Sequence, residues 1–198
     1  MNWTWLGHST FLITNDAGRA LVTDPVDRGT LAEIADVSAD VITVSHRHFD
    51  HCAVERIGGT PVVKETTDAE TLAGFRICGF PTFHDEVKGA KRGPNTVFSI
   101  EADGQKFVHC GDLGHMPGDK TLEALRGCDV LMLPVGGIFT VDGNAAWEIA
   151  KRIAPKTVVP MHFSTPDLGF QLEPLDVFLA AAKADPAPIT VEVPVRMR

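Results

Sequence analysis

The chain has no tyrosine among its 198 residues, so no phenol is available to donate a proton or attack a substrate. No apolar run approaches the ~20 residues that a membrane-spanning helix needs, and none is expected to cross or bind a membrane. Basic residues are scarce, with 18 Lys and Arg against 26 Asp and Glu and a net charge of -8. A general nucleic-acid binder presents a basic face, so nucleic acid is not an expected partner, although a small local basic site stays open. Cysteine is sparse too. Cys52, Cys78, Cys110 and Cys128 fall in no CxxC or zinc-knuckle spacing and read as reduced thiols, Cys78 and Cys128 in the core and Cys52 and Cys110 beside polar candidates described below. Met1-Asn2-Trp3-Thr4-Trp5 lacks the basic start and apolar core of a secretory signal, so a cytoplasmic location is expected.

What remains is ordinary globular material. Hydrophobic residues make up 44% and charged residues 22%, enough to build one core, and no linker, repeat or low-complexity segment divides residues 1–198. One domain is expected. Short β-like runs dominate the first third: Trp3-Leu6, Thr10-Thr14, Ala20-Thr23 and Val41-Val44. Between the last two, Thr30-Val37 reads as a short helix with Leu31, Ile34 and Ala35 on one face. Further β-like runs are Pro61-Lys64, Phe75-Phe80, Thr96-Ala102 and Lys106-Cys110, the last two joined by the Asp103-Gly104 hairpin signal. The second half alternates: helix Thr121-Arg126, strand Val130-Pro134, helix Ala145-Ile153, strand Thr157-Pro160, helix Pro174-Ala184 and strand Ile189-Val193. Two sheets with helices outside them are expected, an α/β architecture.

The densest chemical signal is His46-Arg47-His48-Phe49-Asp50-His51, an HxHxDH sequence directly after the apolar run Val41-Val44. Imidazole nitrogen and carboxylate oxygen together suit zinc, iron or manganese. In an extended start to the loop His46 and His48 point the same way, and Asp50 and His51, after a turn, face a second point. One loop thus offers two ligands to each of two ions. Three more polar residues cap β-like runs, where a packed scaffold can aim them at a shared point: His84 after Pro81-Thr82-Phe83 at the end of the run from Phe75, Asp112 just after the run ending near Val108, and His162 just after Val158-Val159.

With these residues in order, the chain resembles the metallo-β-lactamase fold superfamily, and within it the small metal-dependent hydrolases related to L-ascorbate-6-phosphate lactonase. The resemblance rests on Gly7-His8-Ser9-Thr10, Thr23-Asp24-Pro25, the HxHxDH loop, His84-Asp85, Gly111-Asp112 and Met161-His162-Phe163. It implies a four-layer αβ/βα sandwich with the metals at one edge between two sheets. It further implies that His46, His48 and His84 hold one divalent ion, that Asp50, His51 and His162 hold a second, and that Asp112 bridges them. Zinc is the first expectation, with manganese or iron as alternatives. Asp24 would support a ligand from outside, as carboxylates behind metal-bound imidazoles do. His109 reads as a supporting residue, His115 as a solvated loop residue, and His8 as a candidate substrate contact near the metal mouth.

Such a pair of ions would acidify a bridging water, and the hydroxide would attack a small ester, lactone or phosphodiester, with Asp50 steering protons. Lys91 and Arg92, in the loop after His84, would clamp an anionic substrate group, Arg92 bidentately. The absence of tyrosine excludes the phenol-assisted mechanism of acyl-homoserine lactonases, and Asp112 in place of a cysteine ligand disfavours antibiotic hydrolysis. Two alternatives stay open: a mononuclear iron oxygenase resembling the persulfide dioxygenases of the same superfamily, and a non-catalytic metal-binding protein. Homo-oligomerisation is compatible with all three.

Overall fold

Along the early strands successive side chains face opposite ways, and each set finds its own cover. In the computed structural model, which describes residues 1–197, β1 (Asn2–Gly7), β2 (Thr10–Thr14), β3 (Ala20–Thr23), β4 (Val41–Thr43) and β5 (Val62–Lys64) form a five-stranded sheet in that order. Phe11, Ile13, Leu21 and Val41 point into the main core, whereas Val22 and Ile42 point outward into a second, smaller cluster with Ala39, Val44 and Ile57. The other sheet has seven strands, ordered β12 (Thr190–Val191), β11 (Thr157–Met161), β10 (Val130–Pro134), β9 (Gln105–His109), β8 (Pro94–Ala102), β7 (Phe75–Phe83) and β6 (Glu70–Leu72). Its Phe75, Ile77, Phe98 and Phe107 join the same main core. Burying side chains of this size contributes about 1.5–3 kcal/mol each, and this is what binds the two sheets face to face.

Helices α1 (Asp119–Leu125), α2 (Gly143–Ile153) and α3 (Asp176–Ala184) lie on the seven-stranded side. Ala146, Trp147, Ile149, Ala150 and Ile153 form the buried stripe of α2. Its first turn is capped by Asp142, whose carboxylate accepts from the Ala145 amide at 2.8 Å. Helix α3 packs on α2 through Phe178 against Trp147, ring centroids 5.9 Å apart.

The outer layer on the five-stranded sheet differs from the sequence expectation. Residues 30–37 are not helical. The Arg56 guanidinium, on a single 3-10 turn (Val54–Arg56), donates to the carbonyls of Val26 and Leu31 at 2.8 Å and of Ala32 at 3.1 Å. The Leu31 and Ala32 carbonyls are thereby taken from the i+4 amides that a helix would need. Strand β6 is also unanticipated, because Glu70-Thr71-Leu72 carries no apolar alternation. The expected hairpin does form, turning through Asp103 and Gly104, both in the left-handed region.

Strand direction places the site. Strands β1 and β3 both run antiparallel to β2, and β4 is parallel to β3. The C-terminal ends of β1, β3 and β4 therefore share one edge of their sheet. Likewise β7 and β9 both run antiparallel to β8, while β10 and β11 follow β9 in parallel. The residues that follow β1, β3, β4, β7, β9 and β11 are those the sequence marks.

The cysteines redistribute. Cys110 and Cys128 are buried, whereas Cys78 is only half-buried, because it alternates with Ile77 and Gly79 along β7 and takes the outer face. Burial pushes the Cys110 thiol well up and the Cys128 thiol up to about 12. Iodoacetamide at pH 8 is expected to leave both unmodified until denaturant is added, as mass spectrometry of digests would read. Replacing Arg56 by Ala should destabilise the fold by about 2–4 kcal/mol, measured as a lower midpoint of chemical denaturation.

Candidate metal centre

Six strand ends deliver the site. His46, His48, Asp50 and His51 follow β4, His84 follows β7, Asp112 follows β9 and His162 follows β11, with Asp24 after β3 and His8 after β1. His8, Asp24 and His162 have φ of 53°, 35° and 51°. Such left-handed backbone is uncommon away from glycine and concentrates at functional sites. Gly111, with φ 53°, has no room for a side chain: a Cβ there would lie 2.4 Å from Asn95 Oδ1 and 2.5 Å from Ser45 Cβ. Only glycine lets the chain leaving β9 pass Ser45 and present Asp112.

The donors fall into two groups whose atoms lie within 4.8 Å of one another: His46, His48 and His84 in one, Asp50, His51 and His162, with His8, in the other. Asp112 stands between them. Its Oδ2 is 3.0 Å from His84 Nε2, 3.2 Å from His162 Nε2 and 3.8 Å from His46 Nε2, and its Oδ1 is 3.2 Å from His51 Nε2. Yet His46 Nε2, His51 Nε2 and Asp112 Oδ1 are buried and make no well-formed hydrogen bond among the described residues. Polar atoms this close without hydrogen-bond alignment fit lone pairs directed at common points.

Outer partners settle the imidazole orientations. His51 Nδ1–H donates to Asp24 Oδ2 at 2.9 Å, and His84 Nδ1–H to the Phe139 carbonyl at 3.1 Å. His46 Nδ1 meets Ser45 Oγ at 2.9 Å, and that hydroxyl donates to Asp24 Oδ2. Asp24 thus aims two imidazoles, turning each Nε2 inward. Asp112 is held through its amide by Asn95 Oδ1 at 2.9 Å, and Asn95 is itself tied to Thr82 and the Cys110 carbonyl.

Charge gives the fit test. Asp24, Asp50 and Asp112 are buried, and among the described residues their ion-pair partners are all histidines. Although burial opposes ionisation, the imidazoles of His51, His8 and His162 beside them hold the carboxyls of Asp50 and Asp112 well below the usual range, and the His51 hydrogen bond lowers that of Asp24. Burial, reinforced by neighbouring imidazoles, holds His46 down at about 3 and His8 at about 4. His51 alone is raised, because Asp112, Asp24 and Asp50 outweigh its burial. Three carboxylates buried together carry negative charge in a poorly solvating place. Divalent cations on N and O donors are the group this set fits.

The remaining candidates part company. His8 Nε2–H donates to Asp50 Oδ2 at 3.2 Å, so it touches a ligand of the second group and does not line the cavity described below. His109 joins two segments, donating from Nε2 to the Ser9 carbonyl at 2.9 Å and accepting the Gly111 amide at 3.3 Å. His115 is more than a solvated residue, since its Nε2 accepts the Phe83 amide at 3.1 Å just before His84. Arg92 lines a cavity of about 370 Å³ in front of the ligand set. Lys91 does not, because its ammonium is drawn to Glu86 on the exposed side of the loop. The loop itself is organised by Asp85, whose carboxylate accepts the amides of Val87, Gly89, Lys91 and Arg92. Ser45, Asn95 and the Phe139 carbonyl escaped the sequence reading. Ser45 could have been suspected from its place beside the HxHxDH loop, but nothing in the sequence marks the other two.

Asp24→Asn keeps the shape but gives His51 an amide in place of a carboxylate. Metal affinity is expected to fall about 10–100-fold, read by competition with a chromophoric chelator.

Residues 2–162 match the Beta-lactamase superfamily domain. A UPF0173 metal-dependent hydrolase of Pelotomaculum thermopropionicum is 31% identical over 196 residues, covering 83% of this chain and 85% of that protein. Another, from Methanoculleus marisnigri, is 32% identical over 189 residues, covering 83% and 82%. The crystal structure of a candidate zinc-dependent hydrolase of the metallo-β-lactamase superfamily from Thermotoga maritima matches with a TM-score of 0.78 at 34% identity, covering 96% of each chain. With two sheets packed face to face and the HxHxDH loop, His84, Asp112 and His162 gathered at their strand ends, this chain belongs to the metallo-β-lactamase superfamily, among relatives named UPF0173 metal-dependent hydrolases.

Proposed function

We propose that this protein is a dinuclear metal-dependent hydrolase acting on a small anionic ester, lactone or phosphodiester. The observation that carries the reading is the position of Asp112, within 3.0–3.8 Å of imidazoles from both donor groups. One ion would be held by His46, His48 and His84 and the other by Asp50, His51 and His162, with Asp112 shared. Zinc suits this set, and manganese or iron can use it too. Bound there, divalent ions supply an acidified water as nucleophile and polarise the substrate oxygen that gains charge.

The chain's own residues do the rest. Asp50 borders the cavity, which supports its reading as the carboxylate that steers the proton of the attacking water toward the leaving oxygen. His8 holds Asp50 by one oxygen, which fixes the direction of the other. Arg92, on the cavity wall, orients the anionic part of the substrate. The names of the relatives support hydrolysis. The complete second donor group supports two ions over the single iron of an oxygenase.

Zinc- or manganese-loaded protein should hold two ions per chain by mass spectrometry or atomic absorption. His48→Ala should lower that occupancy and cut turnover of the best ester or phosphodiester by more than about 100-fold, a larger loss than an outer partner produces. One ion per chain together with undiminished turnover in His48→Ala would overturn the dinuclear reading.

A further inference from the structure

The cavity over the ligand set has a character that hydrolysis alone does not require. Its walls are Phe49, Phe139, Phe170 and Arg92, and its floor is the donor set. Among the described residues no serine, threonine, asparagine or glutamine lines it. A polyhydroxylated substrate would turn its hydroxyls toward benzyl rings that cannot hydrogen-bond them, which is unfavourable. At about 370 Å³ it lies near the lower end of the range for small-molecule sites, about 300–1,000 Å³.

Phe49, inside the HxHxDH loop, is 64% exposed and Phe139 37%. Phe139 and Phe170 meet edge to face, with centroids 5.9 Å apart, and Phe170 also abuts the His8 ring. An aromatic wall left open to solvent beside reactive groups marks a place for an apolar group.

Arg92 is the one Arg or Lys on this lining among the described residues, and it is held in advance. Its amide is bound by Asp85, its guanidinium carbon lies 5.4 Å from the Phe139 ring centroid, and Nη2 donates to the Ile138 carbonyl at 3.1 Å. Ile138 has φ 51°, an outlier for a β-branched residue. That strained turn aims the Ile138 carbonyl at Arg92 and the next carbonyl, of Phe139, at His84. Of the five N–H groups of a guanidinium, one is used in this way, and the remainder can receive an anion.

We propose that the site selects an amphiphilic anion, with an aromatic or compact branched apolar group against Phe49, Phe139 and Phe170 and one anionic group of the same molecule on Arg92. The placement of the scissile bond rests on the hydrolase reading above, while the recognition is testable by binding alone. Phenylphosphonate, methylphosphonate and hydroxymethylphosphonate share one anion and differ in the group beside it. Titrated calorimetrically into zinc-loaded protein, phenylphosphonate should bind at least about tenfold more tightly than the other two, the scale on which apolar pockets discriminate. Phe139→Ala keeps the carbonyl that holds His84, so metal content should stay at the parent value while the phenyl preference drops below about threefold; Phe170→Leu should weaken it in the same direction. Arg92→Gln should weaken phenylphosphonate about tenfold or more. Equal binding of the three anions by the parent, an undiminished preference in Phe139→Ala, or unchanged affinity in Arg92→Gln would overturn the proposal. Metal analysis before titration separates the readings: fewer than two ions counts against the dinuclear hydrolase, whereas two ions with no phenyl preference counts against this selectivity alone.

Discussion

Asp112 is buried with its two oxygens near four imidazoles, and Asp24 and Asp50 are buried beside it with, among the described residues, only histidines as ion-pair partners. A folded chain keeps three carboxylates in such a place only if something positive offsets their loss of hydration. Much of the surrounding construction serves that constraint. Serine, asparagine and main-chain groups turn the imidazoles and carboxylates so that lone pairs converge, and residues behind them occupy the left-handed backbone that convergence demands.

The two-sheet architecture makes this possible because strand direction gathers C-terminal ends. A donor on one strand end is rigid, since the strand beneath it is fixed by its ladder and its core-facing side chains. Six such ends brought to one edge give a site whose parts are far apart in the chain but cannot drift in space. The apolar core between the sheets is therefore part of the metal chemistry: it sets the distances among His46, His84, Asp112 and His162.

The mouth is built by other means. The loop after β7 takes its shape from one carboxylate, Asp85, accepting four main-chain amides. The loop after β10 stores strain at Ile138 and uses consecutive carbonyls to hold Arg92 and His84. A wall residue and a metal-site imidazole are thus anchored on neighbouring peptide groups, so substrate recognition and ligand geometry share a support.

Local chemistry explains what could be read without the fold. The HxHxDH loop carries its meaning in six consecutive residues, and alternation along Thr10–Thr14 or Ala20–Thr23 identifies strands because the period of a strand is a property of its own backbone. Asp103-Gly104 likewise prescribes its turn. Tertiary partners decided the rest. Leu31, Ile34 and Ala35 have helical spacing, but Arg56, some twenty-five positions away, captures the carbonyls a helix would use. Lys91 and Arg92 are equivalent cations in sequence, yet Glu86 draws one outward and Phe139 with Ile138 holds the other on the cavity wall. The aromatic wall itself, with Phe49, Phe139 and Phe170 drawn from three separate segments, has no sequence signature, because proximity between distant segments comes from how sheets pack and not from any local rule.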